Sequence, residues 1–521
     1  MKHKTLTLIL CLLATHAICQ TNWTYYSQDP VLAMDPETYV WGAYGQPSVI
    51  IHNDTIKMWY AVVEANDPDT VARGRIHYAW SVDGITWTKH PDNPVLDVGN
   101  DGEWDNAWLD TPGICWDGDE FKLYYYGDST YQAGQENTAL GLATSDDGIH
   151  WTKQGIVLEK GEFDDWDGHH VELPAVDFDS ISNVYTMYYT GMDNSNYPDA
   201  GFMQIGYATS PDGYNWDKFQ DNPVIQYGDY PSWNDIGSGG AAIIYTDGIY
   251  EMWYSGVKIV EAPYESWDSL KVGYAVSLDG IHWVPYPENP VLTVNEGDST
   301  AFWAIDVIRD EAENQYKLYF ESEHWHYQDP FNPDTTYAVN AIFYATAPRD
   351  VLFSPDCNVS VSDDVTINQG ESTQLDASGG EYYQWEPANG LDNASIPNPI
   401  ASPDETTTYN VLVVGEDCIT NAEVTVTVES THVNTGQISE GINMHPNPAT
   451  QSLDVIIDDD DCENSQIGIY TLSGKLVKYI DNIKSVNTRI NMSSVKPGVY
   501  VVILSCSDAI KGYEKIVVID E

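Results

Sequence analysis

Two acidic residues, Asp110 and Glu172, each stand two positions before a proline. Hydrolysis of a glycosidic bond needs one acid that protonates the leaving oxygen and one carboxylate that activates water or attacks the anomeric carbon. The pair could do both if the fold placed the two side chains next to each other. Glu172 follows two histidines in an aromatic stretch, where partial burial would raise its pKa toward that of a useful acid. The alternative is a polar cavity that merely solvates two acids.

Other residues could serve the same site. Asp35 lies in the segment that enters the first repeat, although an ordinary Asp-Pro turn is the commoner origin of such a residue. Gln46 and His170 are candidate substrate contacts. Three tryptophans could stack on sugar rings or pack between sheets: Trp41, Trp108 and Trp166.

No metal site is predicted. The His324-Trp325-His326 segment could present a histidine to a central ion and ease the crowding of carboxylates, but aromatic packing is the commoner outcome. The run from Asp458 to Asp461 could hold a structural calcium. It lacks the spacing and the glycine of an EF-hand, so a solvated loop is the commoner outcome. We therefore expect that no cofactor is required.

An internal repeat of about 65 residues must position these side chains. A Ser-x-Asp-Gly-x-x-Trp element occurs four times and ends at Trp87, Trp151, Trp216 and Trp283. A Met-Trp-Tyr-like element occurs five times, at 58–60, 123–125, 187–189, 252–254 and 318–320. Short apolar runs alternate with Asp-Gly turns, which predicts strands joined by hairpins. Four strands per repeat, repeated five times, predict an all-β fold with a five-bladed β-propeller.

The missing fifth tryptophan element lies at the start of the chain. Trp23 stands 64 residues before Trp87, and each precedes a proline by seven residues. The last repeat ends near Thr346 without this element. We therefore predict that the N-terminal strand closes the last blade, which leaves no open sheet edge. We interpret the tryptophan element, which resembles the Asp box of sialidases, as a turn with a structural Asp and a Trp packed between blades.

The innermost strand of each blade lines the central axis, and counting back from the Met-Trp-Tyr-like element sets its register. Four residues fall at one position: Gly45, Asp110, Glu172 and Gly239. Two adjacent blades therefore place a carboxylate at the same depth near the axis.

The repeats, the Asn-Pro-Val-Leu segments and the inner-strand Glu resemble the five-bladed glycoside hydrolases of families 32, 43 and 130, over residues 20–353. In families 32 and 43 this glutamate is the general acid, a role that the resemblance gives to Glu172. Those families place an Asp immediately before the blade-one proline, where this chain has Gln46. Their blade-two Asp also directly precedes its proline, whereas Asp110 stands one residue earlier. Either Asp110 or a displaced acid such as Asp35 acts as base or nucleophile, or the site binds without cleaving.

Two small β-sandwich domains are predicted after the propeller. Residues 355–430 are rich in Thr, Val, Asn and Asp and resemble a PKD or immunoglobulin-like sandwich, which we interpret as a spacer. Residues 440–521 contain the Met444–Ala449 and Pro497–Val502 motifs and resemble the type A C-terminal sorting domain of type IX secretion. In that family the domain carries the protein across the outer membrane. The resemblance therefore implies the type IX secretion machinery as a partner.

Composition limits the partners and the compartment. The 521 residues include 80 acidic and 22 basic side chains, a net charge of -58, which repels nucleic acids and anionic membrane surfaces. Residues 1–19 have the pattern of a signal peptide. No other apolar run approaches the ~20 residues that span a bilayer. We expect two disulfides, Cys357 with Cys418 and Cys462 with Cys506, and a buried, unpaired Cys115.

We therefore expect a secreted or cell-surface glycoside hydrolase that cleaves a polysaccharide or oligosaccharide, with Glu172 as the acid and Asp110 as its partner. The alternative is a non-catalytic carbohydrate-binding propeller. Gln46, which stands in the position of the expected aspartate, favours this alternative.

Overall fold

The structure is a computed structural model in which β-strands are the regular elements. It describes residues 23–26, 30–33, 42–64, 73–129, 138–195, 202–229, 231–246, 248–258, 271–293, 304–328, 336–349, 359–415, 418–429, 442–457, 465–483, 487–506 and 509–519. No helix in these ranges is long and apolar enough to cross a membrane.

Five four-stranded antiparallel blades form the propeller, and a parallel pairing of Met203 with Gly237 joins blades three and four into one eight-stranded sheet. Blade one contains β2 (Gly42–His52), β3 (Thr55–Glu64), β4 (Arg73–Ser81) and β5 (Thr88–Lys89). Blade two contains β6 (Trp108–Trp116), β7 (Phe121–Asp128), β8 (Ala139–Ser145) and β9 (Thr152–Glu159). Blade three contains β10 (His170–Asp179), β11 (Val184–Met192), β12 (Met203–Ser210) and β13 (Asp217–Lys218). Blade four contains β14 (Gly237–Thr246), β15 (Ile249–Val257), β16 (Lys271–Ser277) and β17 (Val284–Pro285).

The first strand closes the ring, as predicted. Blade five contains β18 (Ile305–Asp310), β19 (Gln315–Gln328), β20 (Thr336–Pro348) and the N-terminal β1 (Thr24–Tyr25). Strand β1 pairs antiparallel with β20, with Thr24 opposite Thr346. The outer strand of the last blade therefore comes from the N-terminal segment. The pairing of this strand with β20 closes the ring.

The repeated Ser-x-Asp-Gly-x-x-Trp element is a turn that joins neighbouring blades, which confirms its structural interpretation. In blade one, Asp83 accepts the backbone N–H groups of Thr86 and Ile85, and these bonds lower the pKa of Asp83 to about 2. The carbonyl of Gly84 in the same turn accepts a hydrogen bond of 3.1 Å from the Tyr319 hydroxyl of blade five. The same contact to the next blade's turn is made by Trp59, Tyr124 and Tyr188.

Trp253 of blade four shows the effect of the missing turn in blade five. It occupies the position of Trp59 in the repeat, but its buried indole N–H has no hydrogen-bond partner among the described residues. Its ring instead packs edge-on against Trp23, at 6.4 Å between ring centroids. Trp23 therefore supplies the packing of the repeat tryptophan without the turn that accompanies it elsewhere.

The second module packs against blade four. Its strands are β21 (Ser360–Val361), β22 (Val365–Asn368), β23 (Thr373–Gln374), β24 (Ala377–Ser378), β25 (Tyr382–Glu386), β26 (Ile400–Ala401), β27 (Thr407–Gly415) and β28 (Cys418–Glu429). Leu412, Val414 and Ile419 belong to the apolar cluster of blades four and five. The Leu278 N–H donates to the Gln384 side chain at 3.4 Å. The propeller and this module consequently form one compact unit, residues 1–428.

Residues 429–521 form a second compact unit. Its strands are β29 (Ile442–His445), β30 (Ser452–Ile457), β31 (Ser465–Thr471), β32 (Leu476–Ile483), β33 (Asn487–Asn491), β34 (Gly498–Cys506) and β35 (Ala509–Val518). They form a three-stranded and a four-stranded sheet around a core that includes Leu453, Ile469 and Val502.

The two predicted disulfides are not supported, because the described residues contain none. Cys357 and Cys462 lie outside the described residues, as do the side chains of Cys418 and Cys506. Cys115 is unpaired and buried, as predicted, and burial raises the pKa of its thiol. The Asp458 to Asp461 run proposed for calcium also lies outside the described part of the chain.

Replacing Glu251 by Gln should remove part of the pH dependence of propeller stability. Glu251 is fully buried and accepts hydrogen bonds from the Tyr274 and Tyr316 hydroxyls. Burial raises its pKa from 4.5 to about 7, so the folded chain keeps a proton that the unfolded chain releases. Wild-type stability should therefore fall between pH 4.5 and 7. We expect the variant to gain about 3 kcal/mol in free energy of unfolding at pH 8 and little at pH 4.5, by denaturant unfolding. Equal pH dependence of both proteins would contradict this.

Candidate active site

The inner strands of four blades share a β-bulge that fixes their register. The pairing shifts between Gly45 and Ser48, Asp110 and Gly113, Glu172 and Ala175, and Gly239 and Ala242. The residue after the first member of each pair has a left-handed backbone: Gln46 (φ 52°), Thr111 (φ 43°), Leu173 (φ 51°) and Gly240 (φ 58°). A bulge redirects the side chains beside it. The register predicted for Gly45, Asp110, Glu172 and Gly239 is therefore confirmed.

Asp110 is held by the residue two positions before it on the same face of β6. The Trp108 indole N–H donates a hydrogen bond of 2.6 Å to Asp110 Oδ2. Asp110 Oδ1 is buried and has no hydrogen-bond partner among the described residues. Burial, and next the negative charge of Glu172, raise the pKa of Asp110 to about 7. Near neutral pH, about half of the Asp110 side chains therefore carry a proton.

Glu172 likewise contacts the residue two positions before it, His170, on β10. The imidazole Nε2 lies 3.1 Å from Glu172 Oε2, and the His170 ring packs on Tyr126 with 4.8 Å between ring centroids. The Glu172 side chain is 19% exposed, so a ligand can reach it. Its negative charge raises the pKa of Asp110, so the two carboxyl groups lie within electrostatic range of each other.

Gln46 and two of the candidate tryptophans have structural contacts, as the packing alternative predicts for the tryptophans. Gln46 Oε1 accepts the Thr111 backbone N–H at 2.8 Å, which ties blade one to the bulge beside Asp110. The Trp108 ring packs on Gly74, where an added Cβ would lie 2.8 Å from it. Trp166 packs on Gly191 and Gly206 of its own blade, so packing rather than sugar stacking explains it.

Two single residues and one segment proposed from the sequence cannot be placed. Asp35 and Trp41 lie outside the described residues. Strand β19 passes through His324 and His326, but their side chains are not among those that the structure describes.

Glu321 on β19 is a further carboxylate at this site, and no catalytic or binding role was predicted for it from the sequence. Its charge also raises the pKa of Asp110. Its Oε2 accepts the Gln46 backbone N–H at 3.1 Å, and its Oε1 accepts the Asn340 side-chain amide. A comparison of the position after each Met-Trp-Tyr-like element would have found it, since only this copy is acidic: Ala61, Tyr126, Thr190, Ser255 and Glu321.

A cavity of about 700 Å³ follows the axis beyond the bulges. Gln46, Thr111 and Leu173 line its inner end, and its lining continues to Ile181 and Tyr245. The acids Asp110 and Glu172 precede the bulges, whereas the cavity follows them along each strand. The candidate active site and this cavity therefore occupy opposite stretches of the inner strands.

One group of side chains in the described residues could hold a metal ion. Asp279, His282 and Glu386 place ligand atoms within 4.8 Å of one another where the second module meets blade four. Asp279 Oδ1 already accepts the Ile281 and His282 backbone N–H groups, as in the other turns of this type. Hydrogen bonding within the turn therefore explains why an aspartate stands at position 279.

Replacing Trp108 by Phe should raise the pKa of Asp110 further. The indole hydrogen bond stabilises the charged carboxylate, so its loss favours the protonated form. At pH 7.5 we expect a larger infrared carbonyl band from protonated carboxyl groups in the variant than in the wild type. Subtracting the spectra of the matching Asp110→Asn proteins isolates the contribution of Asp110. An unchanged or smaller band would contradict the role of the indole.

Two protein-family models match parts of the chain. The "Glycosyl hydrolases family 32 N-terminal domain" matches residues 103–237, which include Asp110 and Glu172. The "Secretion system C-terminal sorting domain" matches residues 443–519. A search of curated proteins found no match.

Several solved structures resemble the propeller. A glycosyl hydrolase from Bacteroides ovatus is 15% identical over 62% of this chain and 92% of its own, with a TM-score of 0.46. A β-1,2-mannobiose phosphorylase from Listeria innocua is 13% identical over 63% and 97%, with a TM-score of 0.46. A thermostable family-43 glycoside hydrolase is 14% identical over 60% and 92%, with a TM-score of 0.42.

The chain thus joins a propeller of the glycoside hydrolase type to a secretion sorting domain. The sorting domain directs the protein through the periplasm to the exterior or to the cell surface.

Proposed function

We propose that this exported, glycoside-hydrolase-type propeller hydrolyses glycosidic bonds, with Glu172 as the proton donor and Asp110 as its partner. The observation that carries the proposal is the coupled pair at one bulge register. Burial and the negative charge of Glu172 raise the pKa of Asp110 to about 7, so Asp110 retains a proton at the site near neutral pH. Glu172 is the exposed member and can deliver a proton to a substrate.

In the proposed reaction Glu172 gives a proton to the glycosidic oxygen as the bond from this oxygen to the anomeric carbon breaks, and a water molecule adds its oxygen to the anomeric carbon and loses a proton. Protonation makes the oxygen a better leaving group, which is the usual contribution of a general acid. His170 orients the Glu172 carboxylate, and Trp108 orients Asp110.

A neutral carbohydrate is the expected substrate. The chain carries a net charge of -58, and three of its acidic residues, Asp110, Glu172 and Glu321, lie at the site. A uronate-rich glycan would be repelled by this charge, whereas a neutral glycan would not.

The alternative function is carbohydrate binding without cleavage. Gln46 stands in the position of the aspartate that related propellers use, and its side chain is occupied by the Thr111 N–H. Incubation of the purified protein with neutral polysaccharides separates the two functions. A hydrolase releases reducing ends, whereas a binding module is retarded in a gel that contains the glycan and releases none.

A further inference from the structure

Gly45 leaves the blade-one position of the register without a side chain, and Glu321 of blade five fills that space. A Cβ atom added to Gly45 would lie 2.3 Å from Glu321 Cδ. The Glu321 carboxylate therefore lies where the side chain of residue 45 would begin. Asp110 and Glu172 extend from the same register position in the next two blades.

Blade four shows the same arrangement with a neutral residue. A Cβ on Gly239 would lie 2.9 Å from Thr190 Cγ2, and the Thr190 hydroxyl accepts the Gly240 N–H at 2.9 Å. Thr190 and Glu321 occupy equivalent positions after the Met-Trp-Tyr-like element. Each caps the bulge N–H of the following blade, so a hydroxyl is sufficient for this structural task.

Capping the bulge N–H therefore does not explain why residue 321 carries a carboxylate. Glu321 is only 5% exposed, and a buried carboxylate is costly unless it is well paired. The N–H groups of Gln46 and Asn340 bind its two oxygens and stabilise the charged form. A fixed, charged carboxylate is what a catalytic base requires.

We propose that Glu321 is the catalytic base, supplied from blade five to the position that blade one leaves empty. This inference rests on the proposed hydrolysis. Glu321 accepts a proton from the water whose oxygen attacks the anomeric carbon. Glu172 gives its proton to the leaving oxygen as the glycosidic bond breaks, and the proton on Glu321 returns to solvent afterwards. Asp110 is poorly suited to this role, since its pKa of about 7 leaves it largely protonated in mildly acidic solution.

The test compares Glu321→Thr with the wild type on a glycan that the wild type cleaves. The threonine copies the natural cap of blade four, so the thermal unfolding midpoint should stay close to that of the wild type. We expect kcat to fall about 10³-fold. Sodium azide should restore turnover as an external nucleophile and yield a glycosyl azide of inverted anomeric configuration. A merely structural residue would give no such rescue.

Gly45→Ala provides a second variant that keeps Glu321 but displaces its carboxylate, since the new methyl group occupies the same space. It should lose activity as well. The exposed Glu313 of blade five provides the charge control, and Glu313→Gln should retain wild-type kcat.

The outcomes separate this inference from the proposed function. If Glu321→Thr cleaves at the wild-type rate, or is inactive without azide rescue, Glu321 is not the base, while hydrolysis by the wild type still stands. A glycosyl azide of retained configuration would also overturn the assignment. If the wild type releases no reducing ends from any glycan that it binds, the proposed function fails, and the base assignment fails with it.

Discussion

Replacing Glu172 by Gln should lower kcat on a natural glycan about 10³-fold and leave glycan binding nearly unchanged. Glutamine keeps the size of the side chain and the contact with His170, but it has no proton to give to the leaving oxygen. Initial rates of reducing-end release, together with retardation in a glycan-containing gel, measure both parts of this result. The fold is not expected to change, because Glu172 is partly exposed and glutamine can keep the contact with His170.

The leaving group provides a sharper control for this prediction. An aryl glycoside with a strongly activated phenol needs no proton from the enzyme, so Glu172→Gln should cleave it nearly as fast as the wild type does. The exposed Glu162, in the segment between blades two and three, is a matched control, and Glu162→Gln should behave as wild type on both substrates. If Glu172→Gln were equally slow on both substrates, Glu172 would not be the acid. If it were equally fast on the natural glycan, the residue would have no catalytic role.

Removal of residues 443–519 should stop passage across the outer membrane almost completely. These residues match the secretion sorting domain and belong to a compact unit that begins at residue 429. The secretion machinery recognises this domain, so a chain without it should accumulate in the periplasm of a host that has this system. Immunoblots of the periplasmic, surface and medium fractions measure the result.

The propeller itself should survive this truncation. Its sheets and the second module form a separate compact unit, residues 1–428. Periplasmic extracts should therefore contain folded, glycan-binding protein with the wild-type thermal midpoint. Secretion of the truncated chain at the wild-type level would show that another segment carries the export information.

Repetition made most of the fold predictable from the sequence. The tryptophan turns recur because each turn glycine accepts a hydrogen bond from the middle strand of the preceding blade, as Gly84 does from Tyr319. The same physical constraint acts in the four blades that carry this turn, so the same residues recur there. For this reason the sequence identifies Trp23 as the tryptophan of the fifth repeat, displaced to the N-terminal segment. The inner-strand register was also predictable, because the bulge that holds Asp110 and Glu172 repeats with its proline.

Contacts between blades were less predictable. Glu321 faces the register position of a different blade, 275 residues away from its partner Gln46. The Glu321 carboxylate can occupy this position only because Gly45 has no side chain. The sequence does not show that these two residues meet, so neither one predicts the other. The apolar contact of Leu412 and Val414 with blades four and five is likewise not predictable, because the composition of the second module does not show which of its side chains meet the propeller. The predicted disulfides relied on cysteine count, which gives no distance between sulfur atoms.

A crystal structure of the Glu172→Gln protein with a bound oligosaccharide tests the central claim most directly. We expect the glycosidic oxygen at about 3 Å from the side-chain amide of residue 172, with Asp110 beside it and Glu321 across the anomeric carbon. A glycan found instead in the axial cavity beyond the bulges, near Tyr245 and remote from Asp110, would contradict the account.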